Sequence, residues 1–182
     1  LLCEVLSLHL RSRFTVALLS NTRIKSTRDL LRAILFELGL PYRRRDEGEL
    51  RLALIGFLSR SEKCPHGMLL IVDEAHSLNL RVLEELRMLS NLVRGGEPRV
   101  RLVLSGGPAL EERFTHPKLD SFNQRLAARC YLSAWDRGET SQFISSQLAA
   151  AGGDSEEIFS PEAIDQIYNA TEGIPRLVVQ LC

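Results

Sequence analysis

The stretch that decides the fold reads Met68-Leu69-Leu70-Ile71-Val72-Asp73-Glu74-Ala75-His76. Its first five residues are apolar, they follow a proline and a glycine, and they end at two adjacent acids. A short apolar run bounded in this way is typical of a strand buried on both faces of a parallel sheet. The segment therefore predicts a central strand, with Asp73 and Glu74 at its carboxyl end.

Strands and helices alternate on both sides of this run. Other short apolar runs predict strands at Phe14–Leu19, Val100–Ser105 and Arg129–Leu132. Periodic apolar positions and capping residues predict helices at residues 1–10, 26–38, 48–59, 80–92, 108–114 and 117–127. This alternation predicts an α/β fold in which a parallel sheet is sandwiched by helices.

The pattern changes after Trp135. Helices are predicted at residues 136–151, at residues 161–171, where Pro161 takes the first helical position, and after Pro175, with no strand between them. We therefore expect a domain boundary near residue 134. An α/β domain would occupy residues 1–134, and a small, incomplete helical lid would occupy residues 135–182.

The acid pair has a specific chemical interpretation. Open α/β sheets bind ligands at the carboxyl ends of their strands. Two adjacent carboxylates buried there need a cation or hydrogen-bond donors, and neighbours on a strand point to opposite faces. Asp73 can hold Mg²⁺ through a water, while Glu74 can polarise a water that attacks a terminal phosphate. Solvated acids that merely end a strand explain the pair alone equally well, and His76 is interpreted as structural.

The surrounding sequence resembles the ExeA-like AAA+ ATPases. That family includes general secretion and pilus-assembly ATPases and is related to transposition ATPases of the TniB kind. VDEAHSLNLRVLEELRMLSNL, at residues 72–92, resembles the Walker B segment and the helix after it. The likeness extends nearly across the chain, through RDLLRAILFELGLPY, LVLSGGPALEERF, FNQRLAARCYLSAW and IFSPEAIDQIYNATEGIPRLVVQLC.

The resemblance implies a P-loop ATPase that binds ATP and Mg²⁺. Asp73 and Glu74 match the Walker B acids, which makes Asp73 the metal residue and Glu74 the catalytic one. Ser105 lies where the family has a polar sensor for the γ-phosphate. The chain departs from the family at Gly107, where a glutamine is usual, so either Ser105 takes that role or the sensor is weakened.

The resemblance also implies two arginine roles. Arg125, in Gln124-Arg125-Leu126, resembles an arginine finger that acts on the nucleotide of a neighbouring subunit, with Arg129 as the alternative. Arg176, in Gly173-Ile174-Pro175-Arg176, resembles the sensor 2 arginine of the lid. Arginine stems that only cover a helix or strand edge remain the alternative for Arg125 and Arg129.

A phosphate-binding loop of the form G-x-x-x-x-G-K-[ST] does not occur in the sequence. The resemblance places this loop directly before a helix that starts like Leu1-Leu2, after a strand central to the sheet. We therefore expect the chain to begin just after the loop. We also expect ATP hydrolysis by the full-length protein and poor ATP binding by this chain alone.

Three functions follow as hypotheses. The first is a cytoplasmic ATPase, acting at the inner membrane through partners or missing domains. It would form a homo-oligomer with ATP between subunits and would assemble or remodel a secretion or pilus machine. The second is a DNA-associated regulator such as a transposition helper, which the basic residues Arg23, Lys25, Arg28 and Arg43 to Arg45 would favour. Residues 1–60 carry 11 Lys and Arg against 6 Asp and Glu, a net of +5, for which a solvated helix face is the alternative explanation. The third is a non-hydrolysing interaction module, which the intact acid pair disfavours.

Overall fold

The computed structural model describes residues 2–20, 23–60, 64–153 and 158–182. The chain forms two compact units, Leu1–Ala127 and Ala128–Cys182. The division falls before the boundary expected near residue 134. Residues 128–134 contain neither helix nor strand, so both positions lie in the same irregular segment.

The first unit alternates helices and strands. Its helices are α1 (Leu2–Leu10), α2 (Thr27–Glu37), α3 (Glu47–Leu58), α4 (Leu80–Ser90), α5 (Pro108–Phe114) and α6 (Asp120–Asn123), with 3-10 turns at Ala75–Ser77 and Pro117–Leu119. Its strands are β1 (Thr15–Leu19), β2 (Met68–Val72), β3 (Val93–Arg94), β4 (Glu97–Pro98) and β5 (Val100–Leu104).

The main sheet has three parallel strands in the order β1-β2-β5. All five residues of β2 are buried, which confirms the predicted central strand. In the register of the sheet, Val72 lies opposite Leu19 on one side and Leu104 on the other. The three strands therefore end at one edge, where Asp73 follows β2.

Helices cover both faces of this sheet, as predicted. Leu70 and Val72 face the main core, which also contains apolar residues of α2, α3 and α4. Leu69 and Ile71 face the opposite side and pack with Cys3 of α1. Both faces of β2 are therefore removed from water, which explains why its sequence is a continuous apolar run.

Side-chain caps fix where the helices on the main-core face begin. The carboxylate of Asp46 accepts from the Glu49 N–H at 2.8 Å, and the Glu49 carboxylate accepts from the Asp46 N–H at 2.9 Å. The side chain of Asn79 likewise accepts from the Val82 N–H at 3.0 Å. These bonds satisfy backbone donors that the first helical turn leaves without partners.

Three predictions of local structure were wrong. The helix predicted at residues 117–127 is a 3-10 turn followed by the short helix α6, which ends at Asn123. Arg129–Leu132 is not a strand, and Leu132 is 77% exposed. A strand needs a neighbouring strand to pair with its backbone N–H and C=O groups, whatever its side chains favour. In the described part of the chain, no strand pairs with this segment. The helix predicted to reach residue 92 ends at Ser90, and β3 and β4 pair around Gly95 and Gly96, both of which have positive φ.

The second unit is helical, with α7 (Arg137–Ala150), α8 (Pro161–Thr171) and α9 (Pro175–Leu181). Its core contains Ile144, Ile167 and Val178. Gly173 adopts a φ of 68°, and a Cβ there would lie 1.9 Å from the Trp135 carbonyl oxygen. This contact explains why glycine precedes the Ile-Pro-Arg entry into α9.

The described helices were also compared with the dimensions of a lipid bilayer. In the described ranges, every helix is too short or too polar to span the hydrocarbon core of a lipid bilayer.

Gly67→Ala should destabilise the first unit. Gly67 precedes β2 with a φ of 80°, and a Cβ there would lie 2.9 Å from the Arg99 carbonyl oxygen. We expect the free energy of unfolding to fall by about 1–3 kcal/mol, measured by urea denaturation. Gly56→Ala in α3 is the control, because its Cβ meets no atom within 4 Å. The control should be stabilising by about 0.5–1 kcal/mol, and equal effects of the two variants would contradict this account.

Candidate functional site

Asp73 is held at the carboxyl edge of the sheet by backbone hydrogen bonds. Its N–H donates to the Leu19 carbonyl oxygen at 2.9 Å, which continues the pairing of β1 with β2 by one residue. Its Oδ1 accepts from the Glu74 N–H at 3.0 Å. The side chain is half-buried, so one carboxylate is fixed at the point where the three strands end.

Glu74 leaves the strand in a left-handed backbone conformation, with φ 53° and ψ 33°. Its carbonyl accepts from the Ser77 N–H at 2.9 Å, which closes a 3-10 turn, and its side chain is 60% exposed. The strand argument that placed the two acids on opposite faces therefore fails at this residue. Glu74 belongs to the turn, so strand alternation does not apply to it.

His76 connects Glu74 to the loop after β5. Its Nε2 lies 3.4 Å from Glu74 Oε2, and its Nδ1 accepts from the Gly107 N–H at 3.3 Å. A ring nitrogen that accepts carries no proton, so the neutral ring has its proton on Nε2, the nitrogen that lies 3.4 Å from Glu74. The interpretation of His76 as purely structural missed this contact, because nothing in the sequence shows that residues 76 and 107 meet.

Ser105 lies beside the acid pair. Its N–H donates to the Val72 carbonyl oxygen at 2.9 Å, and its own carbonyl accepts from the Ala75 N–H at 2.8 Å. The buried Cys3 thiol of α1 neighbours both Ser105 and Asp73. Burial raises the pKa of Cys3, a hydrogen bond with Ser105 lowers it, and the Asp73 carboxylate raises it. Asp73, Glu74 and Ser105 are therefore brought together.

Gly106 and Gly107 shape the loop after β5. A Cβ on Gly106 would lie 3.2 Å from the His76 backbone nitrogen, so the loop packs closely against the turn after β2. The Gly107 N–H donates to His76 Nδ1, and Gly107 has no side chain that could contact a nucleotide. At the position where the resemblance led us to expect a glutamine, this chain therefore contributes a backbone N–H.

The predicted arginines are divided between the two units. Arg125 is exposed in the turn after α6, and among the described residues no hydrogen bond or ion pair joins it to the acids. Arg129 and Arg176 belong to the second unit, where Arg176 is the second residue of α9 and is exposed. These three roles stay predictions.

The edge suits Mg²⁺ better than a metal held by protein alone. The described ranges contain no group of three or more His, Cys, Asp or Glu residues able to hold a metal ion. Mg²⁺ usually keeps several waters and takes one or two carboxylates together with substrate phosphates. A single half-buried carboxylate at an open edge, that of Asp73, fits this mode.

Comparison with known proteins adds a family to this geometry. The model of the AAA domain family matches residues 1–114. General secretion pathway protein A of Aeromonas hydrophila is 33% identical over 156 residues, which cover 85% of this chain. The chain spans 28% of that protein's length. The similarity supports the ExeA-like resemblance.

Solved structures show the same fold. The ORC2 protein of Aeropyrum pernix in its ADP form aligns with a TM-score of 0.65 and 19% identity, covering 98% of this chain and 50% of that one. Cdc6p of Pyrobaculum aerophilum aligns with a TM-score of 0.63 and 18% identity, covering 84% of this chain and 39% of that one. At these identities the likeness concerns the fold alone, and it confirms the predicted P-loop type of α/β fold. By sequence and by fold, the chain belongs to the AAA domain family of ATPases.

Proposed function

We propose that this chain is the core of a module that couples ATP binding and hydrolysis to the assembly or remodelling of a secretion- or pilus-type machine. The observation that carries the proposal is the acid pair at the end of the central strand, with Ser105 and His76 beside it. Membership of the AAA domain family supports the ATPase activity. The similarity to a general secretion pathway protein supports the cellular process. The module would work in the cytoplasm and reach the inner membrane through its partners.

Asp73 is the residue that would hold Mg²⁺, whose positive charge neutralises phosphate oxygens when it is bound. The Glu74 N–H donates to Asp73 Oδ1, which orients the carboxylate before any ligand arrives. The contact of Asp73 with Leu19 keeps its backbone in register with β1. This residue therefore contributes a preorganised negative charge rather than a moving part.

Glu74 is the residue that would polarise the attacking water. Its carboxylate is mostly exposed, so water can reach it, and His76 Nε2 lies 3.4 Å from one of its oxygens. The His76 ring is in turn held by the Gly107 N–H. A change in the Ser105–Gly107 loop, where the γ-phosphate would be sensed, therefore reaches the Glu74 carboxylate through one imidazole ring.

The arginines extend the proposal beyond one subunit. Arg125 is exposed, as a residue that acts on a neighbouring subunit's nucleotide must be, and Arg129 is the alternative for this role. Arg176 begins a lid helix directly after the Gly173 contact that positions its entry. The lid would report the nucleotide state through this residue, and the active assembly would be a homo-oligomer.

Glu74→Gln should remove hydrolysis but keep ATP binding in the full-length protein. The amide keeps the shape of the side chain and loses the base, so we expect turnover to fall by about 100-fold or more. ATPase assays measure turnover, and equilibrium binding of a fluorescent ATP analogue measures affinity. Glu112→Gln, an exposed change in α5, is the control. Undiminished turnover in Glu74→Gln would remove the proposed catalytic role.

His76→Ala should lower kcat by about tenfold and leave ATP affinity unchanged, because the ring orients Glu74 without touching the nucleotide. His76→Gln should restore part of the activity, since its amide can both donate and accept hydrogen bonds. In the Glu74→Gln background, His76→Ala should have no further effect on turnover. A separate loss in that background, or a fall in ATP affinity, would show that His76 does not act through Glu74.

A further inference from the structure

A second charged site lies at the opposite edge of the sheet. A cavity of about 270 Å³ opens there, and its lining carries three arginines and one carboxylate. The lining residues are Arg13, Phe14, Pro65, His66, Glu97, Arg99 and Arg101. We refer to this site as the arginine pocket.

The arginine pocket is separate from the acid pair. Its residues flank the positions where the main strands begin, at Thr15, Met68 and Val100, whereas Asp73 follows the last residue of β2. A strand of five residues is about 17 Å long. A ligand in the pocket is therefore not the triphosphate that the acid pair would handle.

Arg99 forms the floor of the pocket and is only 7% exposed. Its Nε donates to the Leu58 carbonyl oxygen at 2.8 Å, Nη1 donates to that of Pro65 at 3.2 Å, and Nη2 donates to that of Cys64. Within the described ranges no carboxylate forms an ion pair with this guanidinium. Carbonyl oxygens accept from three of its five N–H donors but carry no full negative charge, so an anion in the pocket would stabilise this buried guanidinium.

Arg13 and Arg101 stand on the rim and are held in place before any ligand binds. Both guanidinium carbons lie over the Phe14 ring, at 5.4 Å and 5.0 Å from its centroid. Nη1 of Arg101 also donates to the His66 carbonyl oxygen at 2.8 Å. Glu97 lies 4.0 Å from Arg101, but its side chain is 75% exposed, so this ion pair removes little of the positive charge.

We propose that the arginine pocket binds a phosphate group of a nucleic-acid backbone. Guanidinium groups match the geometry of phosphate oxygens and keep their charge at any physiological pH. Two more exposed arginines, Arg11 and Arg60, lie on the segments that lead into β1 and β2, at the same edge. Positive charges spread along one edge suit a polymer with regularly spaced phosphates better than a single small anion.

The site would act independently of ATP, because none of its residues belongs to the acid-pair edge. It also differs from the basic run Arg43-Arg44-Arg45, which lies between α2 and α3. Arg32 and Arg43 flank Tyr42, at 6.0 Å and 5.9 Å from its ring centroid. Arg32 and Arg43 therefore repeat the arrangement of two arginines over one aromatic ring, but they do not line the arginine pocket. This pair gives a matched control.

The test measures binding of a fluorescent DNA duplex of about 20 base pairs by anisotropy, without nucleotide and from about 50 mM salt upward. Arg13→Ala/Arg101→Ala should weaken binding at least tenfold and reduce the slope of log K against log salt by about two. Arg13→Lys/Arg101→Lys should keep the slope and lose only part of the affinity. Arg32→Ala/Arg43→Ala removes the same charge and should leave affinity within about twofold of the unaltered chain.

Circular dichroism checks that each variant is folded. If the double variant is not folded, the single variant Arg13→Ala, which changes an exposed residue, replaces it. No binding by the unaltered chain at the lowest salt would overturn the proposal. Equal losses in the pocket variant and the control would also overturn it, because they would show a general charge effect. Displacement of the DNA by an acidic peptide of equal charge at the same or lower concentration would assign the pocket to a protein ligand instead.

Discussion

The structure depends on the pairing of β2 with a parallel strand on each side, β1 and β5. Two hydrogen bonds extend this pairing one residue beyond the strands: the Asp73 N–H donates to the Leu19 carbonyl oxygen, and the Ser105 N–H donates to the Val72 carbonyl oxygen. A slip of one residue would exchange the β2 side chains that pack in the main core with those that pack against α1, and each set is fitted to its own neighbours. Asp73 and Ser105 are therefore adjacent because of the register of the sheet, and the contacts between the site residues refine a placement that already exists.

Glu74 shows how the site departs from the regular sheet. A non-glycine residue in the left-handed region costs about 1 kcal/mol, which is offset here by the hydrogen bonds of the turn from Ala75 to Ser105 and from Ser77 to Glu74. Such conformations collect at functional sites because surrounding structure can hold them. The departure carries the Glu74 carboxylate out of the strand to an exposed position beside His76. A continued strand would have placed this side chain against a covering helix layer, away from water.

The sequence predicts those features that depend on local patterns. The position of Asp73 at the end of the central strand was predictable, because a fully apolar run that stops at an acid marks the end of a buried strand. His76 was not, because its role depends on a turn and a loop meeting across 31 residues of chain. Arg129–Leu132 was mispredicted because a strand needs a partner that no local pattern reveals. The buried charge of Arg99 was equally hidden, since its carbonyl partners come from residues some 34 to 41 positions away.

The two edges of the sheet are chemically opposite, and the parallel arrangement is the reason. Segments that enter the strands gather at one edge and carry the arginines, while segments that leave gather at the other and carry the carboxylates. Helix α1 touches both, because its Cys3 thiol neighbours Asp73 and the turn after it carries Arg13. Nine helical residues span about 13 Å, and this helix packs on β2 through Leu69 and Ile71. One helix therefore borders both edges of the sheet, while the charged groups at the two edges stay separated by the length of the strands.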